Sequence, residues 1–348
     1  MKKVFLEMEK LKNMNSGLGQ FCFQLGNTIF QSSSLKFEPH FFLPAKLKNI
    51  FGNHFNYIKS STFCKFFPVK GRFDIWHCLH QESSYWPSSG SAKIILTIHD
   101  LNFLEIKKSK WKQKRRLKKL QNLIYRADAI TVISKYTEKV VRENLKIPDI
   151  PLQVIYNGNS LKTFSFVSKP DFAPDGKFFF SIGIITLKKN FLTLVPLLKH
   201  SNDYHLIIAG NKNDSYAQEI QNLAKSLGVS NRLIMPGPIN EEEKYWLYQN
   251  CAAFLFPSVA EGFGLPVIEA MSLGKPVFLS RFTSLPEIGG EEAFYFNSFD
   301  PHAMHSTIEN GLKEFDSDKE KSQRIIEWSR QFSWRRALEA YQELYLKL

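Results

Sequence analysis

Two glutamates, Glu261 and Glu269, lie in the part of this 348-residue chain best suited to chemistry. The segment runs Pro257-Ser258-Val259-Ala260-Glu261-Gly262-Phe263-Gly264-Leu265-Pro266-Val267-Ile268-Glu269-Ala270-Met271 and follows the apolar run Ala253 to Phe256. Pro266 suits a first helical turn, where no N–H is needed, and Gly262 and Gly264 let backbone amides approach a ligand. A strand, a glycine turn and a helix start together make a place for an anion. The helix that follows is apolar at Leu265, Val267, Ile268, Ala270, Met271 and Leu273, so it is expected to be buried. A carboxylate inside it needs partners, and the vicinal hydroxyls of a sugar would supply them to Glu269. Lys188 and Lys189 follow a second apolar run, where two cations at a helix start would offset phosphate charge. Alone, such a pair also fits a solvated face. His99 closes a strand pattern in Thr97-Ile98-His99-Asp100, and Ser16-Gly17-Leu18-Gly19 is a glycine pair that also fits a plain turn.

These residues need elements to hold them, and the chain alternates short strand-like runs with longer helical patterns, as parallel α/β domains do. Strands are predicted at Val4 to Glu7, Phe37 to Leu43, Asp74 to Leu79, Ile94 to Ile98, Ala129 to Ile133 and Leu152 to Tyr156. The second half repeats the rhythm at Lys177 to Ile182, His205 to Ala209, Arg232 to Met235, Ala253 to Phe256, Pro276 to Leu279 and Ala293 to Phe296. Each half holds enough strands for its own doubly wound sheet. The domains are placed at 1–158 and 159–331, with a linker starting at Tyr156-Asn157-Gly158-Asn159. A terminal helix, 332–348, carries Trp334, Leu338, Tyr341 and Tyr345 on one stripe and is expected to pack on the first domain. Doubly wound sheets bind ligands beyond the carboxyl ends of their strands, which is where the motifs fall.

The spacing from Glu261 to Glu269 resembles the paired-glutamate motif of retaining glycosyltransferases of family 4. The neighbouring Gly274-Lys275-Pro276-Val277 and Ser284-Leu285-Pro286-Glu287 are also similar. The resemblance implies a GT-B fold, two Rossmann-like doubly wound domains facing a central cleft. It implies that Glu261 and the amides of Gly262, Phe263, Gly264 and Leu265 contact the donor sugar, and that Glu269 holds the nucleotide ribose. Gly183-Ile184-Ile185-Thr186-Leu187-Lys188-Lys189-Asn190 resembles the family's glycine, spacer and Arg-Lys-Asn segment. Gly183, Lys188, Lys189 and Asn190 would then bind the donor diphosphate. Lys188 replaces the usual arginine, exchanging a bidentate fork for a point charge, and Ile184 stands where some members carry a further arginine. Gly17 and Gly19 match the amino-terminal glycine loop, and His99 matches the histidine that reaches the donor sugar, with Asp100 beside it. His99, Glu261 and Lys189 are thus the catalytic candidates. Ser134 and Pro236-Gly237 match more weakly and fit ordinary turns. Asp316-Ser317-Asp318 has the form of a metal-binding pair in the other large glycosyltransferase fold, but it lies between helical patterns and reads as capping. No metal and no resident cofactor are expected, the nucleotide sugar being a co-substrate.

The charge divides unevenly. The chain carries a formal +13, with 26 basic and 11 acidic residues up to Asn157 and 20 against 22 beyond it. Between Lys107 and Lys119 nine of thirteen residues are basic: Lys107, Lys108, Lys110, Lys112, Lys114, Arg115, Arg116, Lys118 and Lys119, with Trp111 among them. Such a stretch fits either a solvated helix or docking on anionic lipid. Phenylalanines interleaved with lysines from Leu35 to Phe73 also suit a membrane interface, although phenylalanine is abundant everywhere, at 31 residues. The four cysteines include no C-x-x-C pair, which argues against zinc or redox chemistry and for a reduced, cytoplasmic protein. The first residues turn charged too soon for a signal peptide, and no apolar run reaches membrane-span length. The reading that follows is a hexose transfer, mannose from GDP-mannose, onto a lipid-linked glycan acceptor at the cytoplasmic face of the inner membrane. A UDP-sugar donor, a sugar-nucleotide 2-epimerase of the same fold and a basic nucleic-acid-binding protein are the alternatives. No nucleic-acid motif accompanies the charge, so nucleic acid is not an expected partner.

Overall fold

The computed structural model describes residues 1–14, 16–65, 69, 71–87, 90, 92–105, 109–212 and 214–348. It divides into two compact units, Met1–Gly158 with Ser333–Leu348, and Asn159–Phe332.

The first unit holds a seven-stranded parallel sheet: β1 Lys2–Glu7, β2 Phe37–Pro44, β3 Asn56–Ser60, β4 Ile75–Cys78, β5 Lys93–Ile98, β6 Ala129–Val132 and β7 Leu152–Val154. Their spatial order is β3-β2-β1-β4-β5-β6-β7. The helices α1 Gly17–Gln31, α2 Lys110–Ile124 and α3 Lys135–Asn144 lie between strands. The inner strands are apolar runs buried along almost their whole length, as a parallel sheet covered on both faces requires. Strand β3 escapes sequence reading because Asn56-Tyr57-Ile58-Lys59-Ser60 is a half-exposed edge strand with no apolar run or alternation.

The second unit has six parallel strands: β8 Lys177–Ile182, β9 Tyr204–Ala209, β10 Leu233–Gly237, β11 Ala253–Phe256, β12 Val277–Ser280 and β13 Phe294–Phe296. They are ordered β10-β9-β8-β11-β12-β13. Helices α4 Asp214–Ser226, α5 Glu241–Asn250, α6 Leu265–Ser272, α7 Leu285–Gly289, α8 Pro301–Ser317 and α9 Lys321–Ser329 complete it. Each sheet reverses its winding once, between β1 and β4 and between β8 and β11, and such switch points are where loops part and ligands bind.

The last helix, α10 Trp334–Lys347, returns to the first unit. Trp334, Leu338, Tyr341 and Tyr345 are buried in that unit's core, with Trp334 edge-on to Phe21 and Tyr345 edge-on to Phe37. The expected boundary at residue 331 moves by one: Phe332 belongs to the second unit, where its ring packs against Phe263 at 5.8 Å. The phenylalanine-rich stretch is also corrected. Phe37, Phe41, Phe42, Phe51 and Phe73 are buried core, Phe63 is exposed, and Phe66 and Phe67 lie outside the described residues.

A buried polar chain ties α10 to the sheet. His77 on β4 bonds the Tyr345 hydroxyl at 2.7 Å and Thr97 Oγ1 at 2.8 Å, and Thr97 bonds Thr131 Oγ1 at 2.7 Å. Burial, with a smaller contribution from His99, lowers the His77 pKa to about 3. The unfolded chain therefore binds the extra proton between the ordinary histidine pKa and that value, so stability falls as pH drops through the window. At about pH 5 the loss from His77 is predicted to be about 2 kcal/mol relative to neutral pH. Urea unfolding at both pH values should show it, and His77→Gln should reduce the dependence by that amount; an unchanged slope would contradict a buried neutral ring.

Candidate functional site

In the second unit, adjacency of β8 and β11 decides the site. The turn after β8 and the turn after β11 lie side by side because the two strands pair through Ala253 and Phe254. Lys189 closes a short 3₁₀ turn, Leu187–Lys189, and Asn190 ends that turn in a left-handed conformation (φ 55°). Lys189 Nζ contacts Glu261 Oε1 at 2.6 Å, with both side chains only about a tenth exposed. The Ser258 hydroxyl donates to the same oxygen at 2.6 Å, and the Lys189 ammonium lies 4.5 Å from the Phe256 ring centre. The Val259 N–H donates to the Lys188 carbonyl at 2.8 Å, and the Glu261 N–H to Thr283 Oγ1 at 3.0 Å. Burial pushes the Glu261 carboxyl up, but Lys189, then Lys188, and the hydrogen bonds from Lys189 and Ser258 outweigh it and hold it below the usual carboxylate range. An ionised glutamate is thus kept in a largely dry place beside an ammonium. The Lys188 side chain is half-buried.

Beyond Glu261 the chain turns through Gly262 and Phe263 into α6. Phe263 is buried, and its carbonyl accepts from Ser284 Oγ at 2.7 Å. Gly264 sits at the helix start with φ 124°, a backbone state that side chains other than glycine's rarely allow, and Leu265 and Pro266 follow in the first turn. Glu269, one turn further, is buried. Its partners come from the protein itself: Tyr248 OH donates to Oε2 at 3.0 Å and Lys244 Nζ stands 3.4 Å from Oε1. Burial raises the Glu269 carboxyl despite both partners, and burial with Glu269 drives Tyr248 well above its ordinary value. Lys244 and Tyr248 were not singled out from the sequence. Their signal is the i, i+4 spacing on α5, which puts both on one helix face.

The first unit carries the remaining candidates. His99 follows β5, is buried, and bonds the Leu79 carbonyl through Nε2 at 2.8 Å, with the Phe21 ring edge-on at 4.6 Å. Burial, opposed by the Leu79 bond and aided by His80, lowers its pKa to about 4. Asp100 Oδ1 accepts the Asn102 N–H at 2.9 Å. Gly17 opens α1 and Ser16 caps it, accepting the Gly19 N–H at 3.1 Å. Gly19 has a packing reason for being glycine, because a Cβ there would overlap the Asn13 carbonyl; at Gly17 a Cβ would meet nothing. Ser134 caps α3 through the Thr137 N–H, and Pro236-Gly237 ends β10. Asp318 pairs with Arg324 at 2.7 Å and accepts the Glu320 N–H. Among the described residues no group of three His, Cys, Asp or Glu side chains is placed to hold a metal ion.

The basic stretch forms most of α2. Lys110, Trp111, Lys112, Lys114, Arg115, Arg116, Lys118 and Lys119 are exposed, Trp111 by 65%, while Leu120, Leu123 and Ile124 face the core. Arg115 lies over Trp111, and Arg116 pairs with Glu82 at 2.9 Å. Lys107 and Lys108 lie outside the described residues. No helix among the described residues is long and apolar enough to cross a membrane.

Two doubly wound parallel sheets with their motif loops at the carboxyl ends of the strands define the GT-B class of fold. Solved structures of the same fold include sucrose-phosphate synthase of Thermosynechococcus elongatus (TM-score 0.77, 18% identity, 100% of this chain and 99% of that one). Another is Anabaena HepE in complex with UDP-glucose (TM-score 0.76, 15% identity, all of both chains). Two family models meet along the sequence, Glycosyltransferase Family 4 over residues 38–162 and Glycosyl transferases group 1 over residues 164–332. The chain belongs to this glycosyltransferase family. Among curated relatives, the serotype-specific mannosyltransferase WbdA of Escherichia coli is 30% identical over 226 residues, 60% of this chain and 27% of its own length. The O-antigen chain mannosyltransferase B of Escherichia coli is 27% identical over 303 residues, 85% of this chain and 70% of its own. The chain therefore spans only about a quarter of the WbdA relatives it matches.

Removing one partner of the buried Lys189–Glu261 pair strands the other charge. Lys189→Ala is predicted to destabilise the second unit by about 3–5 kcal/mol, and Lys189→Met with Glu261→Gln to recover much of that. Denaturant unfolding of the single and double variants measures the coupling, and strictly additive losses would show that the pair carries none.

Proposed function

We propose that the chain is a metal-independent, retaining hexosyltransferase that moves mannose from GDP-mannose to a lipid-linked glycan acceptor in O-antigen or capsule-type polysaccharide synthesis. The observation that carries the reading is the buried Lys189–Glu261 pair at the switch point of the second sheet, followed by Glu269 inside α6. The names of the curated relatives support mannose and O-antigen synthesis.

In this reading Glu261 and the amides from Gly262 to Leu265 hold the donor sugar, and Glu269, oriented by Tyr248, holds the ribose. Gly183, Lys188, Lys189 and Asn190 receive the diphosphate; for Gly17 and Gly19 the family resemblance implies a phosphate contact. The bond from the sugar's anomeric carbon to the diphosphate breaks while the acceptor oxygen bonds that carbon on the same face. The acceptor's hydroxyl proton passes to the departing diphosphate, whose growing charge Lys188, Lys189 and the helix-start amides stabilise. His99 serves the donor sugar, as the family resemblance implies. A nucleophilic carboxylate has no part in this scheme, and positioning with electrostatics supplies the rate.

Glu261→Ala is expected to abolish transfer from GDP-mannose to a mannoside acceptor with a hydrophobic aglycone. Because it also strands the Lys189 ammonium and lowers the melting temperature, the assay is run where circular dichroism shows the variant folded, with Glu261→Gln beside it. An unchanged rate would overturn the assignment. Thermal shifts with GDP, UDP and ADP identify the nucleotide, because a ligand bound only by the folded state raises stability in proportion to RT ln(1 + [L]/Kd). A shift specific for GDP and lost in Glu269→Ala is expected; a shift with UDP alone would change the donor.

For α2 the reading is an anionic lipid surface at the cytoplasmic face of the inner membrane, with each basic side chain near it contributing about 1 kcal/mol. Flotation with vesicles containing phosphatidylglycerol should recover the protein at low salt. Reversing charge at Lys112, Lys114, Lys118 and Lys119 should release it, and flotation insensitive to both changes would refute the lipid contact.

A further inference from the structure

In the parallel ladder of β4 with β5 the last register pair is Cys78 with Leu96, and both strands end within two residues of it. Beyond that point one side chain continues the pairing. The carboxamide of Gln81 accepts the His99 N–H through Oε1 at 3.1 Å and donates from Nε2 to the Asp100 carbonyl at 3.0 Å. The imidazole of His99 is held by the same loop, bonding the Leu79 carbonyl at 2.8 Å. A carbonyl only accepts, so Nε2 carries the proton and a neutral ring keeps its lone pair on Nδ1. Main chain and ring of His99 are thus both set by residues 79–81.

That loop is itself pinned on either side of Gln81. His80 Nδ1 accepts the Glu82 N–H at 3.2 Å, which leaves the proton on Nε2, and Nε2 lies 3.1 Å from Glu7 Oε1. Glu7 is the last residue of β1 and is fully buried, as is nearly all of His80. The ends of β1, β4 and β5 are therefore joined through Glu7, His80, Gln81 and His99. From the other side, Thr137 Oγ1 donates to the His99 carbonyl at 3.2 Å.

We propose that Gln81 is a positioning residue for the transfer reaction: its carboxamide, presented by the Glu7–His80 pair, sets the backbone and ring orientation of His99. The proposal rests on the role given to His99 above. Gln81 acts through the histidine, so its loss should impair turnover and leave nucleotide binding, to which the proposed function assigns neither Gln81 nor His99, unchanged. Displacement of a reacting contact by about 1 Å is worth about a hundredfold in rate.

The test compares His99→Ala, Gln81→Ala and Gln81→Glu in the full chain. GDP release from GDP-mannose is followed with and without a mannoside acceptor, beside the GDP-induced thermal shift and ¹⁵N-histidine NMR titration of His99. Gln81→Ala is expected to lower kcat about a hundredfold with the KM for GDP-mannose within about twofold. The GDP shift should stay as in the wild type, and the His99 titration should move up towards the ordinary histidine range as the ring loosens. Gln81→Glu keeps the acceptor for the His99 N–H but loses the donor to Asp100, and should fall between; it also serves if the alanine variant does not fold. An inactive His99→Ala beside a Gln81→Ala with wild-type kcat and an unmoved titration overturns the role of Gln81 and leaves the proposed function standing. A fully active His99→Ala overturns the role of His99, and with it that of Gln81, while the transfer activity itself stands; no transfer by the wild-type chain overturns the proposed function. The titration needs no substrate, so an unmoved His99 in either Gln81 variant is sufficient to reject the proposal.

Discussion

The buried ion pair between Lys189 and Glu261 is the interaction around which the candidate site of the second unit is built. Two charges taken out of water lose several kcal/mol of hydration each, and the loss is recovered only when geometry and further hydrogen bonds are good. Here the pair is close, Ser258 adds a second donor to the same carboxylate oxygen, and Lys188 contributes positive charge nearby. The arrangement holds the carboxylate ionised without bulk water. It also sets the ammonium at the turn where the family resemblance expects a diphosphate.

Everything around the pair follows from winding order. Because β8 and β11 are neighbours, the loop with the cations and the loop with the glutamate must leave the sheet together. Gly264 turns the chain into α6, which carries Glu269 inward to Tyr248 and Lys244 on α5. Pro266 belongs in that first turn for the same reason that the helix can begin abruptly. The first unit applies the same order to β1, β4 and β5, where the strand ends are tied by side chains, and α10 closes its core through Tyr345 and His77.

The elements and motifs were largely legible because they are local. Apolar runs such as Ile75-Trp76-His77-Cys78 announce buried parallel strands, and the stripe Trp334, Leu338, Tyr341, Tyr345 announces a helix that packs. Strand β3 was not legible, since an edge strand with one weakly covered face has no pattern to show. The phenylalanines between Leu35 and Phe73 misled for a related reason: composition records that aromatic rings are present but not which are inside. Gly19 carries a similar lesson, its absent side chain being explained by the Asn13 carbonyl it passes.

The sequence by itself determined the alternation of strands and helices, the glycine and proline positions that start helices, and the presence of two lysines and two glutamates in the segments that follow strands, Glu269 in the helix α6. Each of these is a property of a few consecutive residues, governed by periodicity and backbone preference. Only the tertiary structure decided that Lys189 meets Glu261 across 72 positions, that Tyr248 and Lys244 reach Glu269, and that Gln81 grips the backbone at His99. The physical reason is that such bonds depend on which strands become neighbours and in what register, and that choice is made by packing of the whole unit. No local pattern records it.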